Sequence, residues 1–300
     1  MKELVVISGK GGTGKTSVVA SFAILARNAV LADCDVDAAD LHLVLNPTIR
    51  QRNDFTGGKK ARIVPGRCVS CGKCQTVCRF NAISAAGPSA GGLAKTYVID
   101  RMACEGCGVC VHVCRDAAIA FETSIAGQWF ASETRCGTMI HAKLGVAAEN
   151  SGKLVSIVRS AAKATAEEQS RQLVIVDGPP GIGCPVIASI TGADMVLVIT
   201  EPTLSGMHDL DRVAELTRHF GIPTFVCVNK WDINPEMTRQ IENKASADGL
   251  TLAGRLRYDQ DVTRAQVRKQ AVVEYADTGV SQDMKTLWAT ISSALKLEKT

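Results

Sequence analysis

The sequence predicts an α/β protein: a mostly parallel sheet with helices on both faces, interrupted by a small inserted domain. Three observations point there. Residues 1–45 read as an apolar strand, a glycine loop, a helix and a second apolar strand, a βαβ opening that favours parallel pairing. Short apolar runs of buried-strand length return after residue 150. Between these two regions the pattern disappears, and residues 51–125 carry eight of the twelve cysteines.

In chain order, Leu4 to Ser8 should be a strand, Ser17 to Arg27 a helix and Ala29 to Asp33 the next strand. Further strands are expected at Leu173 to Val176, Met195 to Ile199 and Thr224 to Val228. Amphipathic helices should cover Asp209 to Phe220 and Thr286 to Leu297, the latter with the apolar stripe Leu287, Trp288, Ile291 and Leu295. This places a discontinuous host domain at 1–50 and 126–300 and an insert at 51–125. The insert also holds a glycine-rich stretch from Gly87 to Gly92.

Composition narrows the class. With 46% hydrophobic and 21% charged residues, each domain has material for a core. A net charge of +4 is too small to argue for nucleic acid, and no apolar run reaches the length of a membrane span. The N-terminus enters a strand rather than a signal peptide, so a cytoplasmic protein is expected. In a reducing compartment twelve cysteines suggest metal or redox work rather than disulfides.

The insert repeats itself. Residues 68–84 and 104–120 match at 9 of 17 positions, offset by 36. Each copy reads C-x2-C-x2-C-x3-C: Cys68, Cys71, Cys74, Cys78, then Cys104, Cys107, Cys110, Cys114. Three thiolates at this spacing wrap one face of a cubane, and the fourth must come from elsewhere. Zinc sites more often pair two separate C-x2-C knuckles. The segment resembles a bacterial two-cluster ferredoxin, which implies a ferredoxin-like α+β insert. In that family the fourth cysteine of each motif serves the other cluster. The resemblance therefore implies one 4Fe–4S cluster on Cys68, Cys71, Cys74 and Cys114, and another on Cys104, Cys107, Cys110 and Cys78. The family's proline after the fourth cysteine is replaced by Arg79 and Arg115. These arginines are expected in solvent, as is His112.

The glycine loop, from Gly9 and Lys10 through Gly11, Gly12, Thr13 and Gly14 to Lys15 and Thr16, fits G-x4-G-K-[ST] and leads into Ser17 of the helix. Such loops cradle phosphates on backbone N–H groups, with the lysine on the β/γ oxygens and the threonine on Mg²⁺. The extra Lys10 resembles the deviant Walker A loop of MinD/ParA/Mrp ATPases and of the nitrogenase iron protein. In that family this lysine reaches the phosphates across a nucleotide-sandwich dimer. The resemblance implies that Asp35, at the end of the second strand, orients the attacking water, with Asp33 and Asp37 as second choices. It also implies that Asp177, opening Asp-Gly-Pro-Pro-Gly181, holds Mg²⁺ through water while Gly181 senses the γ-phosphate. Asn229 and Lys230, in an N-K-x-D segment, are expected at the adenine of ATP, although GTPases use that pattern for guanine. Arg257-Tyr258-Asp259 stands where the family has Pro-Tyr-Asp.

These resemblances lead to an ATP-hydrolysing dimer, homodimeric or formed with a paralogue, that transfers iron–sulfur electrons to a redox or metalloprotein partner. A cluster carrier like Mrp is an alternative, but its late C-x-x-C pair has no counterpart outside the insert. A MinD/ParA-like positioning protein is another. Of the four remaining cysteines, Cys34 and Cys227 are expected to be packing residues. Cys136 and Cys184 are candidates for a third 4Fe–4S cluster bridging the dimer, because Cys184 stands seven residues after Asp177, the spacing of a cluster ligand in the nitrogenase iron protein.

Overall fold

A computed structural model of the chain describes residues 1–86, 96–145 and 151–297; the stretch from Gly87 to Gly92 lies outside them. The chain divides into two compact units. One comprises Met1–Asn53, Trp129–Lys143 and Asn150–Thr300, the other Asp54–Gln128 and Leu144–Glu149. The divide falls a few residues later than the 51 and 125 read from the sequence. It lies inside strand on both passages, at 53/54 and 128/129, where no loop or change of composition marks it.

The chain runs β1 (Lys2–Ser8), α1 (Lys15–Ala26), β2 (Ala29–Asp33), α2 (Leu41–Leu45) and β3 (Thr48–Ile63). It continues through α3 (Lys73–Thr76), β4 (Ile83–Ala86), β5 (Thr96–Ile99), α4 (Val109–Val113), β6 (Ile119–Thr134) and β7 (Gly137–Leu144). Then follow α5 (Ser151–Glu168), β8 (Leu173–Pro180), α6 (Cys184–Ile190), β9 (Met195–Thr200), α7 (Leu204–His219) and β10 (Thr224–Asn229). The chain closes with α8 (Pro235–Ala247), β11 (Thr251–Leu256), α9 (Asp261–Val267), α10 (Val272–Tyr275) and α11 (Val280–Ala294).

Among the described residues one sheet has the order β11-β10-β9-β1-β8-β2-β7-β6-β3. From β11 to β7 its pairings are parallel. The two-residue connection Arg135-Cys136 then turns β6 back against β7, the only direction so short a link allows. The apolar runs sit in the middle of this sheet because both its faces are covered. Leu4, Ile175 and Leu197 are fully buried on neighbouring strands.

Helix α1 buries its middle turns. Val18, Val19, Phe22 and Ala23 are fully buried, and the Phe22 ring lies 5.0 Å from that of Trp288 on α11. Burial of one such phenylalanine contributes about 2–3 kcal/mol. The terminal stripe joins the same core through Leu287, Ile291 and Leu295. Among the described residues no helix is long and apolar enough to cross a membrane. Helix α7 begins five residues before the sequence expectation because Thr203 caps it, its Oγ1 accepting from the Gly206 N–H at 3.0 Å. The sixteen-residue strands β3 and β6 went unread. Residues 48–53 are largely polar and mostly exposed, so no apolar run announces them.

In the second unit β4 pairs antiparallel with β5, Ile83 opposite Ile99. Helices α3 and α4 occupy corresponding places in the two cysteine repeats. Each is preceded by a glycine in the left-handed region, Gly72 at φ 74° and Gly108 at φ 76°. That conformation is costly for any residue with a Cβ. The repeated glycine thus gives both copies the same backbone turn.

Candidate functional sites

The phosphate-loop motif lies at the C-terminal end of β1, between the parallel strands β8 and β9. Open α/β sheets bind ligands at that end. The loop borders a cleft of about 550 Å³ lined by Gly11, Gly12, Thr13, Gly14, Lys15, Thr16, Ser17 and Asp35. Its far wall carries Asp40, Leu43, Val44, Gln266 and Val267. Gly9 opens the loop tightly against α7, where a Cβ would stand 2.2 Å from that of Asp209.

Strand register gathers the charged groups. Asp177 on β8 lies opposite Asp33 on β2, and Asp33 opposite His141 on β7. Lys15, at the first turn of α1, reaches into this row with its Nζ 2.5 Å from Asp177 Oδ1 and 3.6 Å from Asp35 Oδ2. Burial works against the Lys15 charge, but Asp177, Asp35 and Asp33 together hold its pKa above the ordinary value. Asp33 is pushed well up by burial and then by Asp177. Asp35 is raised by burial, with Lys15 opposing and Asp177 adding.

One lysine does not satisfy this cluster. Asp177 Oδ2 and Asp33 Oδ2 are buried without a hydrogen-bond partner, as is Thr13 Oγ1. Buried carboxylate oxygens with nothing to accept are costly. A divalent cation with its bound waters suits them, so the residues present fit Mg²⁺ at Thr16 and Asp177.

Other sequence-predicted residues are engaged differently. Asn229 donates its amide to the Thr13 carbonyl at 2.7 Å and accepts from the Lys230 N–H through Oδ1. Lys230 Nζ lies 2.5 Å from Glu201 Oε1. Neither residue is part of the cleft lining given above, where Gln266 and Val267 stand instead. Gln266 Nε2 donates to Ser17 Oγ at 3.0 Å. Lys10 points to Glu201 and Ser205. The Gly181 N–H, expected at the γ-phosphate, donates to the Ser8 carbonyl at 2.9 Å. Asp37 is exposed.

Sequence reasoning missed Glu201 as a shared partner of two lysines. Gln266 and Val267 offered no signal, because the chain around Arg257 departs from the family pattern.

In the second unit the cysteines form part of the core. Cys74, Cys104 and Cys110 are buried with Ile63, Ile83, Tyr97, Ile99 and Ile119, and Cys68, Cys78 and Cys114 pack against them. Cys71 and Cys107 are exposed, and all eight thiols are free. One pocket is lined by Cys68, Cys71, Cys74 and Cys114 together with Ile63, Tyr97 and Ile119. The Cys114 sulfur accepts from the Ala118 N–H at 3.3 Å. Burial pushes the Cys74 thiol up, and the charges of Cys68 and Cys71 add to it; Cys110 is raised by burial and by Cys104 and Cys107. Among the described residues no three His, Cys, Asp or Glu side chains converge as they would on a single ion. Cysteines of both motifs nonetheless border the one pocket. Arg79, Arg115 and His112 are all exposed.

The proposed four-thiolate bridge of Cys136 and Cys184 requires correction. Cys136 precedes β7 at the N-terminal end of the parallel strands, beside Ala29, whose carbonyl comes within 2.6 Å of a Cβ placed on Gly137. Cys184 opens α6 just beyond the C-terminal end of β8. The length of the sheet separates them, about 16 Å for five residues of strand, so the two cannot ligate one cluster from the same side. Cys136 is buried and shares a hydrogen bond with Thr134 Oγ1 at 3.2 Å, while Cys184 is exposed. Cys34 and Cys227 are fully buried packing residues.

Comparison with known proteins agrees with this geometry. The family description CobQ/CobB/MinD/ParA nucleotide binding domain matches residues 4–272. A Methanocaldococcus jannaschii protein named "Uncharacterized protein MJ0578" is 34% identical over 238 residues, covering 77% of this chain and 79% of that protein. The chloroplastic septum site-determining protein minD homolog of Arabidopsis thaliana is 25% identical over 88% of this chain and 66% of its own. Among solved structures, the MinD of Pyrococcus horikoshii complexed with Mg-ADP superimposes with a TM-score of 0.59 at 15% identity, covering 98% of this chain and 96% of that one.

Proposed function

Because the chain belongs to the CobQ/CobB/MinD/ParA nucleotide-binding family, we propose that it is a Mg-ATP-hydrolysing switch whose cysteine-rich unit carries iron–sulfur clusters for electron transfer to a protein partner. The observation that carries this reading is the pocket shared by Cys68, Cys71, Cys74 and Cys114. It unites three cysteines of one motif with the fourth of the other, which chance packing of a repeat does not require. Cys104, Cys107, Cys110 and Cys78 form the complementary set. Bound there, 4Fe–4S clusters supply one-electron chemistry at low potential.

ATP lies with its phosphates over the amides of residues 11–16 and its base toward Leu43, Val44, Gln266 and Val267. Lys15 leaves the carboxylates for the β/γ oxygens. Thr16 and Asp177 would hold Mg²⁺, which neutralises phosphate charge. Asp35 orients the attacking water, and the Gly181 N–H exchanges the Ser8 carbonyl for the γ-phosphate. This exchange couples nucleotide state to the segment after β8. Two chains, identical or paralogous, enclose the nucleotides with Lys10 acting across the dimer.

A second reading, as a positioning protein, draws on the likeness to the septum-site protein. Burial of Leu287, Ile291 and Leu295 in the core weighs against α11 as a membrane-binding helix. Protein prepared without oxygen should contain about eight iron atoms per chain and hydrolyse ATP slowly. Lys15→Ala should lower turnover at least about a hundredfold, because neutralising phosphate charge dominates this chemistry. Stoichiometric zinc with negligible iron would remove the redox half of the reading; undiminished hydrolysis in Lys15→Ala would remove the nucleotide half.

A further inference from the structure

Glu201 stands just past β9, its side chain only 14% exposed, with a lysine on each carboxylate oxygen. Oε1 is 2.5 Å from Lys230 Nζ and Oε2 is 3.4 Å from Lys10 Nζ. Lys10 also donates to Ser205 Oγ at 3.3 Å, at the start of α7. The lysine that is to act across the dimer is thus turned onto the chain that carries it.

We propose that Glu201 is a positioning residue that parks Lys10 until ATP-dependent dimerisation draws the lysine to the partner's phosphates. This rests on the dimeric reading above. Three physical features make the arrangement suitable. Lys10, while parked, stays clear of its own cleft, where a free ammonium would otherwise settle on the phosphates of its own nucleotide. The pair is partly exposed, Lys10 being 35% accessible, so its hold is weak enough to be broken by a phosphate. Release also leaves no stranded charge, because Lys230 remains on the other oxygen and Glu201 keeps a counter-ion. A single lysine on Glu201 would make the same exchange expensive.

The parking point is also joined to the loop it serves. Lys230 follows Asn229, whose amide holds the Thr13 carbonyl. Gly14 faces that amide with φ 89°, and a Cβ there would stand 2.4 Å from Nδ2. Glu201, the end of β10 and the phosphate loop therefore form one connected set of contacts.

The test is sedimentation velocity with Mg²⁺ and a non-hydrolysable ATP analogue, alongside binding of a fluorescent ATP analogue at concentrations where the chain is monomeric. Glu201→Gln retains an acceptor for Lys230 and weakens the hold on Lys10. Ser205→Ala removes only a Lys10 contact. Both should tighten dimerisation, Glu201→Gln by about threefold and Ser205→Ala by less, with monomer affinity for the analogue unchanged. In a Lys10→Ala background neither substitution should have any effect. Dimerisation in Glu201→Gln equal to or weaker than wild type, or a gain that persists without Lys10, would overturn the proposal. If Lys10→Ala alone dimerises and turns over as wild type does, the fault lies in the dimeric reading itself.

Discussion

The two compact units build their interiors from different materials. The nucleotide unit is filled by aliphatic and aromatic residues from parallel strands and α1, and its reactive groups lie at the strand ends rather than in the core. In the small unit reactive groups are part of the core, since six of its eight motif cysteines are buried in it or packed against it. The first unit can keep its shape while its ligand comes and goes. The second closes isoleucines, alanines and Tyr97 around its cysteines, so loss of the cysteines removes packing. Small domains commonly depend on metal for this reason.

The largest expected effect breaks the second unit alone. Replacing all eight motif cysteines by serine should abolish amide protection in residues 54–128, with exchange at least about a hundredfold faster. Residues 1–53 and 151–297 should retain theirs. Hydrogen exchange by mass spectrometry reads both in one experiment, and equal protection across the chain would erase the contrast.

A smaller effect belongs to the nucleotide unit. His141 is buried, stacks on Phe130 and shares a 2.8 Å hydrogen bond with Ser132. Burial and the neighbouring His42 lower its pKa from 6.5 to about 4. A depressed folded value means the associated stability is present above pH 6.5 and lost as pH falls toward 4. His141→Gln should flatten that acid limb, by on the order of 3 kcal/mol near pH 4. An unchanged pH profile of the thermal midpoint would show that the limb arises elsewhere. The smallest effect lies on the surface of the cysteine unit, where Arg62 pairs with Glu122 at 2.6 Å and both side chains are about half exposed. Arg62→Ala should leave that unit's melting midpoint unchanged. A measurable fall would reveal a unit so marginal that even a screened pair matters.

What the sequence disclosed follows the same division. Strands β1, β2, β9 and β10 were legible because burial on both faces forces unbroken apolar runs. The phosphate loop and the cysteine spacing were legible because their chemistry tolerates few substitutes. The β3 and β6 arms were not, since a polar strand looks like a loop until its partner is known. Glu201 was not legible either, because a carboxylate's partners depend on the packing of β9, β10 and α7. The Cys136 assignment failed because spacing along the chain says nothing about which end of a strand a turn occupies.

The position of β1 has a consequence for biosynthesis. Its neighbours are β8 and β9, so Lys2 must wait for Leu173 and Leu4 for Met195. At about 5–20 residues per second, that interval lasts about 10–30 seconds. The first strand has no partner until then, whereas Cys114, the last cysteine of the two motifs, precedes Leu173 in the chain. The small unit therefore has time to assemble before its host sheet can close.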